Sequence, residues 1–109
     1  MYTMFLDDNE VPEKEYDVIV RSFDEATSCV LKNGIPQFIS FDYDLGFDEN
    51  GEYLKNGYDF AKWLVEQSIN EEIVFPDDFY FEVHSKDIIE KNNIKSILNN
   101  YLLFSIKLI

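Results

Sequence analysis

The residues of this 109-residue chain best suited to chemistry are acids and a single imidazole, and they fall where apolar runs stop. Asp7 and Asp8 follow Tyr2-Thr3-Met4-Phe5-Leu6, and Asp42 and Asp44 follow Phe38-Ile39-Ser40-Phe41. His84, the only histidine, and Ser85 follow Phe79-Tyr80-Phe81-Glu82-Val83, while Arg21, the only arginine, and Ser22 follow Val18-Ile19-Val20. Acidic dipeptides also occur at Asp48-Glu49, Glu71-Glu72 and Asp77-Asp78, so placement rather than pairing carries the information. Carboxylates gathered in one place repel unless protons or a cation intervene. Asp7, Asp8, Asp42 and Asp44 can hold Mg²⁺ or Mn²⁺, which would neutralise a phosphate ester and orient a water. Arg21 can clamp a non-bridging oxygen bidentately and His84 can move a proton, with Asp42 beside them. The plainer alternatives are solvated turns for the aspartates and a packed or surface position for the lone histidine.

Those groups act together only if strands bring them to one rim. The short apolar runs read as strands, and the third, with no polar alternation, fits a central strand covered on both faces. Ser22-Phe23-Asp24-Glu25 has the pattern of a capping box, with Glu25 reaching back to Ser22, and opens a helix that Gly34 can stop. Asn56 caps a second helix, and Asp87 with Glu90 starts a third along the stripe Ile94, Ile97, Leu98, Tyr101 and Leu102. Residues 104–109 read as a fifth strand that carries Lys107. Strands alternating with helices predict an α/β fold with a mainly parallel five-stranded sheet and three helices. In such a sheet ligands bind beyond the carboxyl ends of the strands. Ser22, Ser85 and Lys107 would there supply further ligand contacts. Only about ten residues join the first two strands, too few for a helical crossover. Residues 9–17 therefore form a compact irregular crossover, or else the second strand is antiparallel at an edge.

Composition narrows the function. With 46% hydrophobic residues, ten Phe and seven Tyr, residues 1–109 are expected to form one domain around one core. A lone Cys29 cannot form an intramolecular disulfide, which suits a cytoplasmic protein, and no run approaches a membrane span. Nine basic against 22 acidic residues leave a net charge of −13. A chain so acidic does not bind nucleic acid through its backbone charge, nor an anionic membrane. A phosphate-bearing ligand requires a cation at the site. Calcium-loop spacing fails around Gly51, because Gly46 and Gly57 would then occupy ligand positions, and no glycine-rich phosphate cradle is present.

Taken in order, Phe5-Leu6-Asp7-Asp8, Val20-Arg21-Ser22, Ile39-Ser40-Phe41-Asp42-Tyr43-Asp44-Leu45-Gly46, Asn56-Gly57-Tyr58-Asp59 with Trp63-Leu64, His84-Ser85 and Asn93-Ile94 resemble the cyclic-phosphate-processing receiver-like domains. The resemblance implies a flavodoxin-like response-regulator receiver fold whose first helix is missing, which accounts for the short first join. It also implies a magnesium-binding acidic pair at Asp7 and Asp8, the receiver's phosphorylated aspartate at Asp42, and the receiver's hydroxyl and lysine at Ser85 and Lys107. Asp44, Arg21 and His84 resemble the additions of the cyclic-phosphate branch, whose inferred role is on cyclic phosphate esters of nucleotides or RNA ends. Where that family usually has a turn with Asn, Pro and Gly after the His-Ser pair, this chain has Lys86-Asp87-Ile88-Ile89-Glu90.

Three functions compete on these residues. The first is metal-dependent binding or hydrolysis of a phosphate ester. The second is a degenerate receiver that takes phosphate on Asp42 or binds a partner protein. The third is sequestration of a nucleotide without cleavage.

Overall fold

The computed structural model describes the backbone of residues 1–107 and the side chains of residues 1–104. The strands are β1 (Thr3–Leu6), β2 (Val18–Val20), β3 (Phe38–Phe41) and β4 (Tyr80–Val83), and the helices are α1 (Phe23–Asn33), α2 (Gly57–Ile69) and α3 (Ile88–Lys107). They form an α/β receiver-like fold around a four-stranded sheet of order β2-β1-β3-β4, in which every pairing is parallel. β2 is therefore a parallel edge strand, and the antiparallel alternative for it falls away. None of the described helices is long and apolar enough to cross a membrane.

Local chemistry sets the helix starts. Ser22 Oγ accepts from the Glu25 N–H at 3.0 Å, but Glu25 accepts from the Arg21 N–H at 3.2 Å instead of closing the box on Ser22. Asn56 and Asp59 form the reciprocal box on α2, each side chain accepting from the other's N–H at 2.9 Å. Asp87 Oδ1 accepts from Ile89 and Glu90 at the head of α3.

The expected fifth strand is corrected. Residues 88–107 contain neither glycine nor proline, so nothing stops the helical stripe, and α3 continues through Lys107. Residues 108 and 109 lie outside the described range. Lys107 is thus on the last turn of α3, about 28 Å along the axis from Ile88 at 1.5 Å per residue, and not at a strand end beside the acids.

The two sheet faces differ. Met4, Leu6, Val20, Ile39, Phe41 and Val83 point to one side and join Ala26, Val30, Phe60, Leu64, Ile94 and Leu98 in a single core, so all three helices cover that face. Each of these side chains except that of Ala26 contributes roughly 1.5–3 kcal/mol when fully buried. Phe5, Phe38 and Ser40 are buried on the opposite face, so β3 is covered on both faces as expected, but no helix supplies the second cover. The crossover of residues 9–17 lies there instead. Its Tyr16 ring packs on Phe5 at 5.2 Å and on Phe38 at 6.0 Å. Its base is pinned by Asp17, whose carboxylate accepts from the Thr3 N–H and hydroxyl.

α2 meets the sheet at Gly57, whose N–H donates to the Tyr43 carbonyl at 2.7 Å. A Cβ there would lie 1.8 Å from the Asp42 carbonyl oxygen, which no rotamer change relieves. Gly57→Ala must therefore push α2 away from the end of β3. We expect it to destabilise the domain by about 3 kcal/mol or more in urea unfolding, against about 1 kcal/mol for Gly51→Ala, where space is open and only the strain of a φ of +78° is added.

Candidate functional site

The register of the sheet builds the site. Its last rung is Val20, Leu6, Phe41 and Val83, aligned across β2, β1, β3 and β4. The residue after each is Arg21, Asp7, Asp42 and His84. The ladder persists one step further, with Asp7 N–H donating to Val20 O at 3.1 Å, Asp42 N–H to Leu6 O and His84 N–H to Phe41 O, both at 2.9 Å. Four strands ending in step thus set four candidate side chains in one row.

Three of them converge. Asp7, Asp42 and His84 each offer a ligand atom within 4.8 Å of the others. Asp7 and His84 are on β1 and β4, two strand spacings apart, and they meet by leaning over β3: His84 Nε2 is 2.9 Å from Asp7 Oδ2. The imidazole lies flat on Phe5, with centroids 4.7 Å apart and planes 5° from parallel. Its Nδ1 is 2.8 Å from Ser40 Oγ. Asp7 Oδ1 meanwhile accepts from the N–H groups of Asn9 and Glu10 at 2.9 and 2.8 Å, so one carboxylate both shapes the crossover and faces the cluster.

The other expected residues are placed differently. Asp8 is exposed, with Oδ2 3.2 Å from where a Cβ on Gly46 would stand, and Gly46 has a φ of +97°. Asp44 is exposed and accepts from the Gly46 N–H at 2.9 Å. Both sit on the rim beside the cluster and neither belongs to it. Arg21 Nη1 donates to the carbonyls of Asp7 and Glu10 at 2.9 and 2.6 Å, so its guanidinium braces the crossover. The Ser22 hydroxyl caps α1, and the Ser85 hydroxyl donates to Glu90 at 3.1 Å.

Ser40, Glu82 and Phe5 were not singled out from the sequence, although they surround His84. One signal for Ser40 was available: a hydroxyl in the middle of an apolar strand must find a partner when buried. Glu82 read as an ordinary solvent-facing residue of an alternating strand.

Electrostatics separate the two carboxyls of the cluster, buried Asp7 and half-buried Asp42. Burial alone would raise Asp7, but the N–H groups of Glu10 and Asn9 together with His84 outweigh it and hold Asp7 below its ordinary value. Asp42 accepts only the Tyr43 N–H, at 2.8 Å. Burial and the charge of Asp7, with Asp8 adding to it, push Asp42 up to about 6. A carboxylate, a carboxyl short of countercharge and an imidazole form a donor set that fits a divalent cation.

A parallel α/β sheet with acids and a histidine beyond its carboxyl edge defines a receiver-like domain. The cyclic-phosphate processing receiver domain family matches residues 2–100, and the chain belongs to that family. No curated protein and no solved structure matches the chain.

The raised Asp42 sets a pH dependence. The folded protein keeps the Asp42 proton up to about pH 6, whereas the unfolded chain loses it near 3.8, so stability falls as pH rises through that window. Without divalent cation, the melting temperature should fall between about pH 4 and pH 7 more steeply in wild type than in Asp42→Asn, and the variant should be the more stable at about pH 8. A variant that is less stable there would show that Asp42 is not under repulsion.

Proposed function

We propose that this domain binds a divalent cation, Mg²⁺ or Mn²⁺, between Asp7, Asp42 and His84, and with it binds and hydrolyses a phosphate ester of the cyclic-phosphate type, on a nucleotide or an RNA end. The observation that carries the reading is the convergence of three ligand atoms within 4.8 Å from three strands, one of them on a carboxyl pushed up by burial and by the charge of Asp7. When bound, the cation supplies Lewis-acid stabilisation of an anionic ester and promotes attack by water. Asp7, rigid through its two backbone donors, fixes one ligand oxygen. Asp42 loses its proton to become the second. His84, held by Phe5 and Ser40, presents Nε2 as the third. Asp8 and Asp44 on the rim add negative charge that retains the cation and turns away an unaccompanied polyanion. In hydrolysis of a cyclic phosphate, water adds to phosphorus, one ring P–O bond breaks, and the proton of water ends on the departing alkoxide.

The geometry lends less support to a phospho-aspartate switch. Lys107 is on the far turn of α3 and the Ser85 hydroxyl is engaged by Glu90, so the receiver's lysine and hydroxyl are not gathered about Asp42. Sequestration without cleavage uses the same cation and is separated by fate of ligand alone.

Two measurements test the proposal. Mn²⁺ should raise the melting temperature of wild type by several degrees and leave Asp42→Asn and His84→Ala unchanged. Incubation of a 2′,3′-cyclic nucleotide with protein and Mn²⁺ should yield the monoester, with turnover reduced about 100-fold or more in either variant. Stabilisation by Mn²⁺ with the cyclic ester co-purifying with the protein and recovered intact would establish sequestration. No stabilisation and no turnover in wild type would overturn the metal reading.

A further inference from the structure

The register that gathers the acidic cluster also fixes what lies behind it. Two residues before Asp7, Asp42 and His84, the rung of Phe5, Ser40 and Glu82 crosses β1, β3 and β4, and two residues earlier comes the rung of Thr3, Phe38 and Tyr80. Residues two apart share one face of a strand, so all three rungs stand on the face that no helix covers. Successive rungs are about 6.6 Å apart at roughly 3.3 Å per residue. In a cyclic nucleotide a single ribose separates phosphorus from base. A phosphate at the cluster therefore either lays its base over Phe5, Ser40 and Glu82 or sends it off the edge of the sheet into solvent.

A cavity of about 430 Å³ occupies the first of those places, between the crossover and the sheet, and reaches His84. Small-ligand sites run from roughly 300 to 1,000 Å³. Half-buried Tyr16, its ring 5.2 Å from that of Phe5, gives the cavity an aromatic wall on which a flat heterocycle can stack. Glu82 is exposed but not loose, because Ser40 Oγ donates to its Oε1 at 3.1 Å. A carboxylate accepts several hydrogens, so Glu82 can take another from a molecule in the cavity.

Charge decides which molecule fits. Glu10, Glu13 and Glu82 line the cavity against the one amine of Lys14. Lys14 Nζ is drawn over the rings of Phe38 and Tyr16, 5.4 and 5.9 Å from their centroids, and so stays toward the rung farther from the cluster. A lining with more carboxylate than amine repels a second phosphate and favours a neutral group with N–H donors. An RNA end carries a second phosphodiester one nucleoside away from its cyclic phosphate, whereas a cyclic mononucleotide does not. Adenine, guanine and cytosine each present an exocyclic amino group, and uracil has carbonyl oxygens instead.

We infer that the ester is a cyclic mononucleotide with an amino-bearing base, seated between the crossover and the Phe5–Ser40–Glu82 rung, where Glu82 accepts from the amino group. The inference rests on the cyclic-phosphate reading above and gives it a base specificity.

With Mn²⁺ present, 2′,3′-cyclic cytidine monophosphate should bind about 10-fold more tightly than its uridine counterpart, and more tightly still than base-free ethylene cyclic phosphate. Glu82→Gln keeps an acceptor for Ser40 and adds an amide donor, so it should erase the preference for cytosine and leave the base-free ester unaffected. A cytidine dinucleotide ending in the same cyclic phosphate should bind about 10-fold or more weakly than the mononucleotide, and Glu13→Lys, at an exposed residue, should narrow that gap. A base-free ester bound as tightly as the cytidine one, a cytosine preference unchanged in Glu82→Gln, or a dinucleotide bound more tightly than the mononucleotide would overturn the inference and leave the cation reading intact. If no ester binds with Mn²⁺, the cation reading fails, and cytidine titrated into the metal-free protein decides the base site. A shift of the imidazole resonances of His84, the only histidine, in wild type but not in Glu82→Gln would uphold it, and no shift would overturn it.

Discussion

The structure depends on one constraint, the common register at which four parallel strands stop. Because Val20, Leu6, Phe41 and Val83 form a single rung, the next residue of each strand joins a row across the carboxyl edge. Adjacent strands in a sheet stand about 4.8 Å apart, which is close enough for side chains on alternate strands to meet above the one between them. The Asp7–His84 contact over β3 is that meeting. A one-residue slip in β1, β3 or β4 would send its cluster side chain to the other face and dissolve the cluster. The apolar core under the helices is what prevents the slip, since the same shift would expose Met4 and Leu6 or Ile39 and Phe41.

A row of acids at the edge of a chain with net charge −13 is unfavourable by itself. The protein manages that repulsion unevenly. Asp7 receives two backbone N–H groups and the imidazole, whereas Asp42 receives one N–H and the charges of its neighbours. The single arginine gives no direct relief, because it is bonded to carbonyl oxygens of the crossover. What relief the site lacks internally, a bound cation would provide, and this asymmetry between a fixed carboxylate and a deficient one is a common mark of a functional cluster.

The crossover that replaces a helix has a second effect. A helix on that face would have covered Phe5, Ser40 and Glu82, whereas residues 9–17 cover only part of it, through Tyr16 on Phe5 and Phe38. Glu82 is therefore exposed on the open side of the sheet, while Phe5 and Ser40 beneath it stay buried. A cavity of about 430 Å³ under the crossover is lined by Phe5, Tyr16, Ser40, Glu82 and His84 among others. Loss of one secondary element and the presence of a polar support behind the histidine belong to the same feature of the fold.

Much of this was readable in the residues, and the reason is local. An apolar run cut off by acids specifies a strand end, Ser22, Asn56 and Asp87 specify helix starts through their own side chains, and the order of elements specifies a parallel α/β sheet. The family resemblance followed from those same short segments. What the chain could not declare was anything that depends on distance between segments. Whether Arg21 faces a ligand or a carbonyl, whether Asp8 or His84 joins Asp7 and Asp42, and whether Ser40 is a filler or a support are settled by register and side-chain reach. The tail shows the limit most simply: Phe104 and the residues after it are as apolar as a strand, but with no glycine or proline to stop α3 the helix runs on, and Lys107 goes with it. Sequence determined which residues end the strands; tertiary structure decided which of them meet, because contact across a sheet depends on the alignment of chains far apart in sequence.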